Sequence, residues 1–328
     1  MDKIVLLSAN ERKDLFSEAA AQKGVRPGII EKDFWVCWIL GKLFEDEFIK
    51  QKIMFKGGTS LSKVFGIIER FSEDIDLILD WRELTDIDPE EERSNKKQVR
   101  FNEEVRAASY EYLGKTFLPK VQELTEGVCE TLIDPKRPNE VIIKYPKTLQ
   151  EDYLRPEILL ETGPLAAWVP NSTYTITPYA AQEFPRLYES PAVEVQAIKA
   201  ERTFWEKATI LHHEANRPEG NTQPKGYSRH YYDMMKMSKS GIKDKALQDI
   251  ELLNHVIDFK QKFYYRAWAH YELAVPGTLK LLPPDHVMES IKQDYKDMEI
   301  MIFGEVPHLD EIMEEIKILE TEINSINN

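Results

Sequence analysis

Apolar residues recur along the chain with two periods, and the switches between them mark the elements. Over 9–25 they fall at helical spacing, with Leu15, Ala19 and Ala20 on one face, until Arg26-Pro27-Gly28 interrupts the pattern. A second helix, 29–49, is apolar on most sides and dense in aromatics, so Phe34, Trp35 and Trp38 read as core and Cys37 as a small core residue; Glu31, Lys32 and Asp33 read as charges at its start. Ile53–Phe55 predicts a strand, and Ser60–Glu69 a helix through Leu61, Val64, Phe65 and Ile68. From Ile75 to Leu79 the period drops to two, with Asp74 and Asp76 on the face opposite Ile75, Leu77 and Leu79.

After an acidic loop, 84–93, residues 94–126 predict mostly helix with a break at Pro119, and three β-rich runs follow between 128 and 162 around a turn at 134–139. In the last of these runs Glu157, Leu159 and Glu161 share one strand face. The Pro-, Thr- and Tyr-rich stretch 164–191 reads as a connector, dividing the chain into 1–190 and 191–328. Beyond it an alternating strand runs into a helix near Ala200, a further helix follows Gly226–Asp233, and 243–328 predicts helix throughout, broken at Pro276-Gly277 and Pro283-Pro284. The last helix carries Leu309, Ile312, Ile316, Leu319 and Ile323 in one stripe, a face for packing on its own domain or for a partner. The class expected is α+β: a mixed-sheet core with flanking helices, then a mainly helical C-terminal domain.

Composition sharpens this in three ways. A length of 328 residues fits about two domains, and 42% hydrophobic residues suffice for a sizeable core. The N-terminal stretch lacks a small-residue cleavage site, no apolar run is long enough for a membrane helix, and Cys37 and Cys129 as the sole cysteines fit a reducing cytoplasm. A net charge of −14 argues against generic coating of nucleic acid, since phosphate neutralisation drives such binding, but leaves room for a defined end recognised by a local basic patch. The densest basic cluster is Lys96, Lys97, Arg100 and Arg106, which reads as a solvated helix face paired with Glu103 and Glu104, or as a contact to substrate phosphates.

The candidate chemistry lies between Ile53 and Leu79. GGTSLSK fails the Walker A pattern, no G-x-G-x-x-G or G-x-S-x-G is present, and the seven histidines have no zinc-ligand spacing with cysteine. What remains is a strand, the Gly57–Ser60 turn, a helix and Asp74-x-Asp76. Glycines let backbone amides approach phosphate, and carboxylates two apart on a strand face one way and share a divalent ion. That combination fits Mg²⁺-dependent transfer of a nucleoside monophosphate from an NTP. An acid from the 157–161 strand, Glu157 or Glu161, is placed to complete the metal site, Glu161 being preferred. Arg70 and Ser72 flank the acidic strand, as phosphate contacts or as parts of a turn.

The blocks KGGTSLSKVF, RFSEDIDL, ERTFWEKATILHH and SRHYYDM, in that order over about 30–237, resemble the AbiEii/AbiGii-type toxin nucleotidyltransferases, which have a DNA polymerase β-like core. The resemblance implies nucleotide binding by Gly57, Gly58, Thr59 and Ser60, with Lys56 beside them. It implies a metal pair at Asp74 and Asp76, a motif lysine at Lys207 and a later motif acid at Asp233. Lys207 would neutralise triphosphate charge; its other reading is a surface pair with Glu206 or Glu214. Asp233 would orient Lys207 or act as a base, and Arg229 and His230 would contact nucleotide or acceptor phosphate, or simply start a helix. The Gly58-to-Asp74 gap is longer than the superfamily's compact spacing, though it suits this subfamily. The resemblance also implies Mg²⁺, with Mn²⁺ as a substitute, a cognate antitoxin, a role in a toxin–antitoxin or phage-defence pair, and the tRNA 3′ end as acceptor. A protein hydroxyl as acceptor, and a module that binds nucleotide or a partner without chemistry, are the alternatives.

Overall fold

The computed structural model describes residues 1–72, 74–149, 151 and 154–326. The chain divides into two compact units, Met1–Phe65 with Phe71–Ile198, and Gly66–Arg70 with Lys199–Asn328.

In the first unit a short helix, α1 (Asp2–Val5), precedes α2 (Ala9–Lys23). Ser8 and Glu11 close a reciprocal cap on α2, the pairing that an S-x-x-E spacing favours. Helix α3 (Pro27–Glu45) is buried over almost its whole length, as its near-continuous apolar sequence requires. Strand β1 (Ile53–Lys56) leads directly into α4 (Gly57–Lys63), and β2 (Asp74–Leu79) returns antiparallel to β1. Then come α5 (Asn95–Tyr112), α6 (Leu118–Leu124), β3 (Glu130–Ile133), β4 (Glu140–Lys144), β5 (Ile158–Gly163), β6 (Asn171–Ile176), α7 (Tyr179–Glu183) and β7 (Val193–Ile198). The strands form one mixed sheet in the order β3-β4-β5-β2-β1-β7-β6, with β2–β5 and β1–β7 parallel. The class is therefore α+β.

The core lies against one face of this sheet. Ile75 and Leu77 of β2, Phe55 of β1, Ile158 and Leu160 of β5 and Val193 and Val195 of β7 meet Phe34, Trp35, Trp38 and Ile39 of α3. The aromatics of α3 are thus core, as expected, and each buried ring contributes roughly 1.5–3 kcal/mol. Among the described residues the other face carries a small apolar cluster, Met54, Ile78 and Ile198 with Ala166 and Trp168 against it. That difference leaves Asp74, Asp76 and Glu161 half-buried rather than covered.

Several elements depart from the expectations. Helix α4 spans Gly57–Lys63 rather than 60–69; Gly66 adopts a left-handed φ of 62°, and Gly66–Arg70 joins the second unit. The break near Pro119 is a wide π-type turn, Leu113–Phe117, which relieves the clash of the proline ring with the preceding turn; the proline sits in the first turn of α6. The 164–191 connector contains β6 and α7, and β7 pairs with β1 and β6, so the first unit runs to Ile198.

The second unit is helical: α8 (Ala200–Ala215), α9 (Ser228–Ser238), α10 (Gly241–Leu247), α11 (Ile250–Phe263), α12 (Met288–Met298) and α13 (Leu309–Asn324). Helix α9 is central, with α8, α10, α12 and α13 packed on it. The stripe Leu309, Ile312, Ile316, Leu319 and Ile323 of α13 is buried, so it packs within its own unit. Residues 264–287 are not helical as expected; short 3₁₀ turns are the only helix there. Gly66–Arg70 is tied in by an Arg70–Ile302 bridge and by Phe303 N donating to Glu69 O at 2.9 Å. Among the described residues no helix is long and apolar enough to cross a membrane.

Candidate active site

Strand register assembles the acidic half of the site. Asp74 and Asp76 point to one face of β2 because they are two residues apart. In the parallel pair β2–β5, Asp76 stands opposite Glu161 and Asp74 opposite Leu159; in the antiparallel pair β1–β2, Lys56 stands opposite Asp76. One row across the sheet thus reads Lys56, Asp76, Glu161. Glu157 lies just ahead of β5, outside this register, so the strand brings Glu161 to the aspartates.

Gly57 is required where it stands. Its φ is 83°, and a Cβ there would lie 1.8 Å from Asp76 Oδ2, so only glycine lets the β1–α4 backbone lie against that carboxylate. Thr59 and Ser60 follow in the first turn of α4, both buried. Thr59 Oγ1 donates to Asp74 O at 2.5 Å and Ser60 Oγ to Gly57 O at 2.8 Å. The Thr59 hydroxyl therefore fastens the turn to the acidic strand and the Ser60 hydroxyl closes the turn on itself, leaving the main-chain N–H groups of Gly58 and Thr59, which have no intrahelical acceptor, as the turn's donors for an anion. Ser72 is half-buried two residues before Asp74.

Lys63, at the end of α4, is a residue whose part the sequence reading missed. It is buried, pairs with Asp33 of α3 at 2.7 Å, donates to Thr177 O at 2.9 Å and lies 3.8 Å from the Tyr179 ring centre. Burial alone lowers its ammonium, but Asp33 outweighs that and the group stays charged above its ordinary range. Glu31, Lys32 and Asp33 are accordingly not helix-start charges. All three are buried; Glu31 accepts from Thr148 and Leu149 N–H groups, and Lys32 donates to Arg155 O at 3.1 Å. The signal was present: charged residues inside a helix apolar on every side have to be buried, and buried charge has to be partnered.

In the second unit Asp233 on α9 is fully buried and accepts from two cations. Arg70 grips it with Nε at 2.6 Å and a terminal nitrogen at 2.7 Å, and Lys207 of α8 reaches Oδ2 at 2.8 Å. Lys207 therefore takes neither Glu206, which pairs with Arg202, nor Glu214, which pairs with Arg217. Arg70 belongs to this cluster through its fork on Asp233. Lys207 Nζ also lies 3.5 Å from His230 Nδ1. Arg229 is exposed one residue away, at the start of α9, where Asp294 of α12 accepts from Gly226 N and Ser228 N.

The electrostatics follow from two cations sharing one carboxylate. Burial would raise Asp233, but Arg70 and Lys207 overcome it and hold the group well below the usual carboxylate range. Burial pushes Lys207 down; Asp233 opposes this, while Arg70 and Arg229 add to it. Burial, then Lys207 and Arg229, hold His230 neutral. The cluster keeps an excess positive charge away from water, which favours an anion beside it, and a buried lysine pushed down in this way donates a proton more readily than an exposed one. Asp233, held ionised and saturated by its two cations, orients Lys207 and makes a poor base.

The donor set of Asp74, Asp76 and Glu161, oxygen only and in adjacent strands on one face, fits a hard divalent cation. Among the described residues, no three His, Cys, Asp or Glu side chains converge as placed into a formed metal cage. The expected basic patch on α5 is exposed, with Arg100 paired to Glu104 at 2.7 Å, an ordinary i,i+4 surface pair.

A glycine turn against a D-x-D strand in a mixed sheet is the architecture of a nucleotidyltransferase core. Residues 38–315 match the family described as nucleotidyl transferase AbiEii toxin, type IV toxin–antitoxin system, and the chain belongs to that family. It is a nucleotidyltransferase toxin of a type IV toxin–antitoxin system, which implies a nucleotide substrate and an antitoxin. Among solved structures it is similar to MenT4, a nucleotidyltransferase toxin from Mycobacterium tuberculosis H37Rv, at 14% identity and a TM-score of 0.46, covering 94% of this chain and 98% of that one. No curated protein matches the sequence.

Proposed function

We propose that this toxin transfers a nucleoside monophosphate from an NTP to the 3′ end of tRNA and thereby blocks translation. The observation that carries the reading is the register row in which Asp76 stands between Lys56 and Glu161, with Asp74 on the same face and Gly57 against the Asp76 carboxylate. Asp74, Asp76 and Glu161 would hold Mg²⁺, or Mn²⁺ in its place. A divalent ion there would neutralise triphosphate charge.

The chain's own residues supply the rest of the reading. Lys56 and the Gly57–Ser60 turn bind the triphosphate, with Arg70, Ser72, Arg229 and His230 as further nucleotide contacts. Because Arg70 already grips Asp233, its share in this role is that of a fixed positive charge rather than a mobile donor. The acceptor hydroxyl gives its proton to solvent as its oxygen bonds to the α-phosphorus, the bond from that phosphorus to the bridging oxygen breaks, and pyrophosphate leaves. Lys207, oriented by Asp233, donates a proton toward the departing pyrophosphate; its lowered proton affinity supports that role.

The test is incubation with α-labelled NTPs and Mg²⁺ in the presence of either tRNA or a protein extract. Label should reach the RNA, and Asp76→Ala should reduce transfer by at least about 100-fold with helical content unchanged, the scale of losing a central electrostatic group. Label on protein alone would shift the acceptor to a protein hydroxyl, and full transfer by the variant would remove the carboxylate assignment.

A further inference from the structure

Between Asp258 and Glu272 the chain carries Lys260, Lys262 and Arg266 and no acid, in a protein whose net charge is −14. The same stretch exposes Tyr264 by 47% and Tyr265 by 65%; the other exposed aromatic among the described residues is Phe48, in the first unit. Exposure follows from the end of α11. Its Leu252, Leu253, Val256, Ile257 and Phe263 are buried, the helix stops after Phe263, and the two tyrosines fall beyond the last turn. Lys260 Nζ lies 5.1 Å from the Tyr264 ring centre, and Phe259 lies 6.2 Å from the same ring.

The following loop is held from beneath. Trp268 meets His213 edge-on at 4.3 Å and lies 5.0 Å from the Arg217 guanidinium carbon, and His213 Nδ1 is 2.9 Å from the Tyr271 hydroxyl. These contacts order the segment that follows the tyrosines, so exposing the two rings costs little further conformational entropy when they are engaged.

We infer that Tyr264 and Tyr265, flanked by Lys260, Lys262 and Arg266, form a docking platform for single-stranded RNA, with bases stacking on the tyrosine rings and phosphates met by the three cations. Aromatic faces accept any unstacked base, and interleaved cations follow the strand's phosphates. Tyrosine and arginine also suit a protein interface, but lysine is depleted there, and two of the three cations beside the tyrosines are lysines, so a protein partner fits less well. A duplex fits less well too, since its bases are already stacked and its charge density is unwelcome to an acidic protein. The inference deepens the proposed function by giving the RNA acceptor a site in the helical unit, and it rests on that reading.

The experiment uses the full chain and a fluorescein-labelled single-stranded RNA of about twelve nucleotides, within the usual range of such sites. Anisotropy titrations compare it with a duplex of the same sequence, in the Asp76→Ala background so that no chemistry enters the readout. Replacing both tyrosines, Tyr264→Ser with Tyr265→Ser, should weaken single-strand binding roughly 10-fold or more, the scale of lost base stacking, while Tyr264→Phe with Tyr265→Phe should retain it. Unchanged affinity in the serine variant overturns the platform, as does equal binding of the duplex, or loss of a protein partner with RNA binding intact. If the wild type transfers label only to protein while the tyrosine-dependent RNA binding persists, the proposed acceptor fails and the platform stands. If label reaches RNA and the serine variant keeps its KM for that RNA, the platform alone fails.

Discussion

Gly57 shows how little room the site leaves at the scale of single atoms. A methyl group there would meet Asp76 Oδ2 at 1.8 Å, on a backbone whose φ of 83° already disfavours a side chain. Gly57→Ala should therefore displace the Asp76 carboxylate, destabilise the fold by about 1–3 kcal/mol and abolish transfer; urea unfolding and the labelled-NTP assay read the two effects, and retained transfer would show that the carboxylate need not stay in place. His213 makes a separate prediction. Burial, then Arg217, Lys260 and Arg266, lower its imidazole to about 4, with Glu214 opposing. The unfolded chain takes up this proton near 6.5, so the stabilisation is complete above that pH and is lost as pH falls from 6.5 toward 4. His213→Gln should flatten the fall in urea midpoint over that window; an unchanged slope would exclude the imidazole as its source. Of these residues the spacing of Gly57, Asp74 and Asp76 was legible in the chain. The Arg70–Asp233 pair, 163 positions apart, was not, because no local period relates its members.

At the scale of elements, α4 is seven residues long, too short to be stable as an isolated helix. It is held by its own ends: hydroxyls of its first turn fasten to Gly57 and Asp74, and Lys63 in its last turn is buried on Asp33 of α3. Asp33→Ala would leave the Lys63 ammonium buried without its carboxylate and should cost about 3–5 kcal/mol, whereas Asp33→Leu with Lys63→Met together should recover most of that stability. Chemical denaturation of the single and double variants measures it; equal losses in both would show that packing rather than charge holds α4. The apolar period over 60–69 extended this helix too far, since Gly66 turns the chain into the second unit. Strand β7 was legible as alternation, but its place beside β1 was not, since strand order depends on pairings distant in sequence.

For the whole molecule, a charge of −14 with a local run of three cations predicts how RNA binding answers to salt. Three phosphate contacts give a slope of about −2 in log affinity against log salt for a single strand, far shallower than an extensive duplex binder shows. A measured slope near zero would remove the cations from the interface, and a steep one would require a larger surface. The sequence by itself determined the α+β class, the buried aromatic helix, the acidic strand and the family blocks, because these rest on local period, spacing and residue type. Only the tertiary structure decided that Glu161 stands beside Asp76, that Arg70 and Lys207 share Asp233, and that Asp33 answers Lys63. The physical reason is the same in each case: strand register and the pairing of buried charge join residues far apart in the chain, and they are settled only when the core closes. The glycine–aspartate stretch was visible from its spacing and Glu161 could be preferred as its third acid, but the register that sets Glu161 and Lys56 on either side of Asp76 was not.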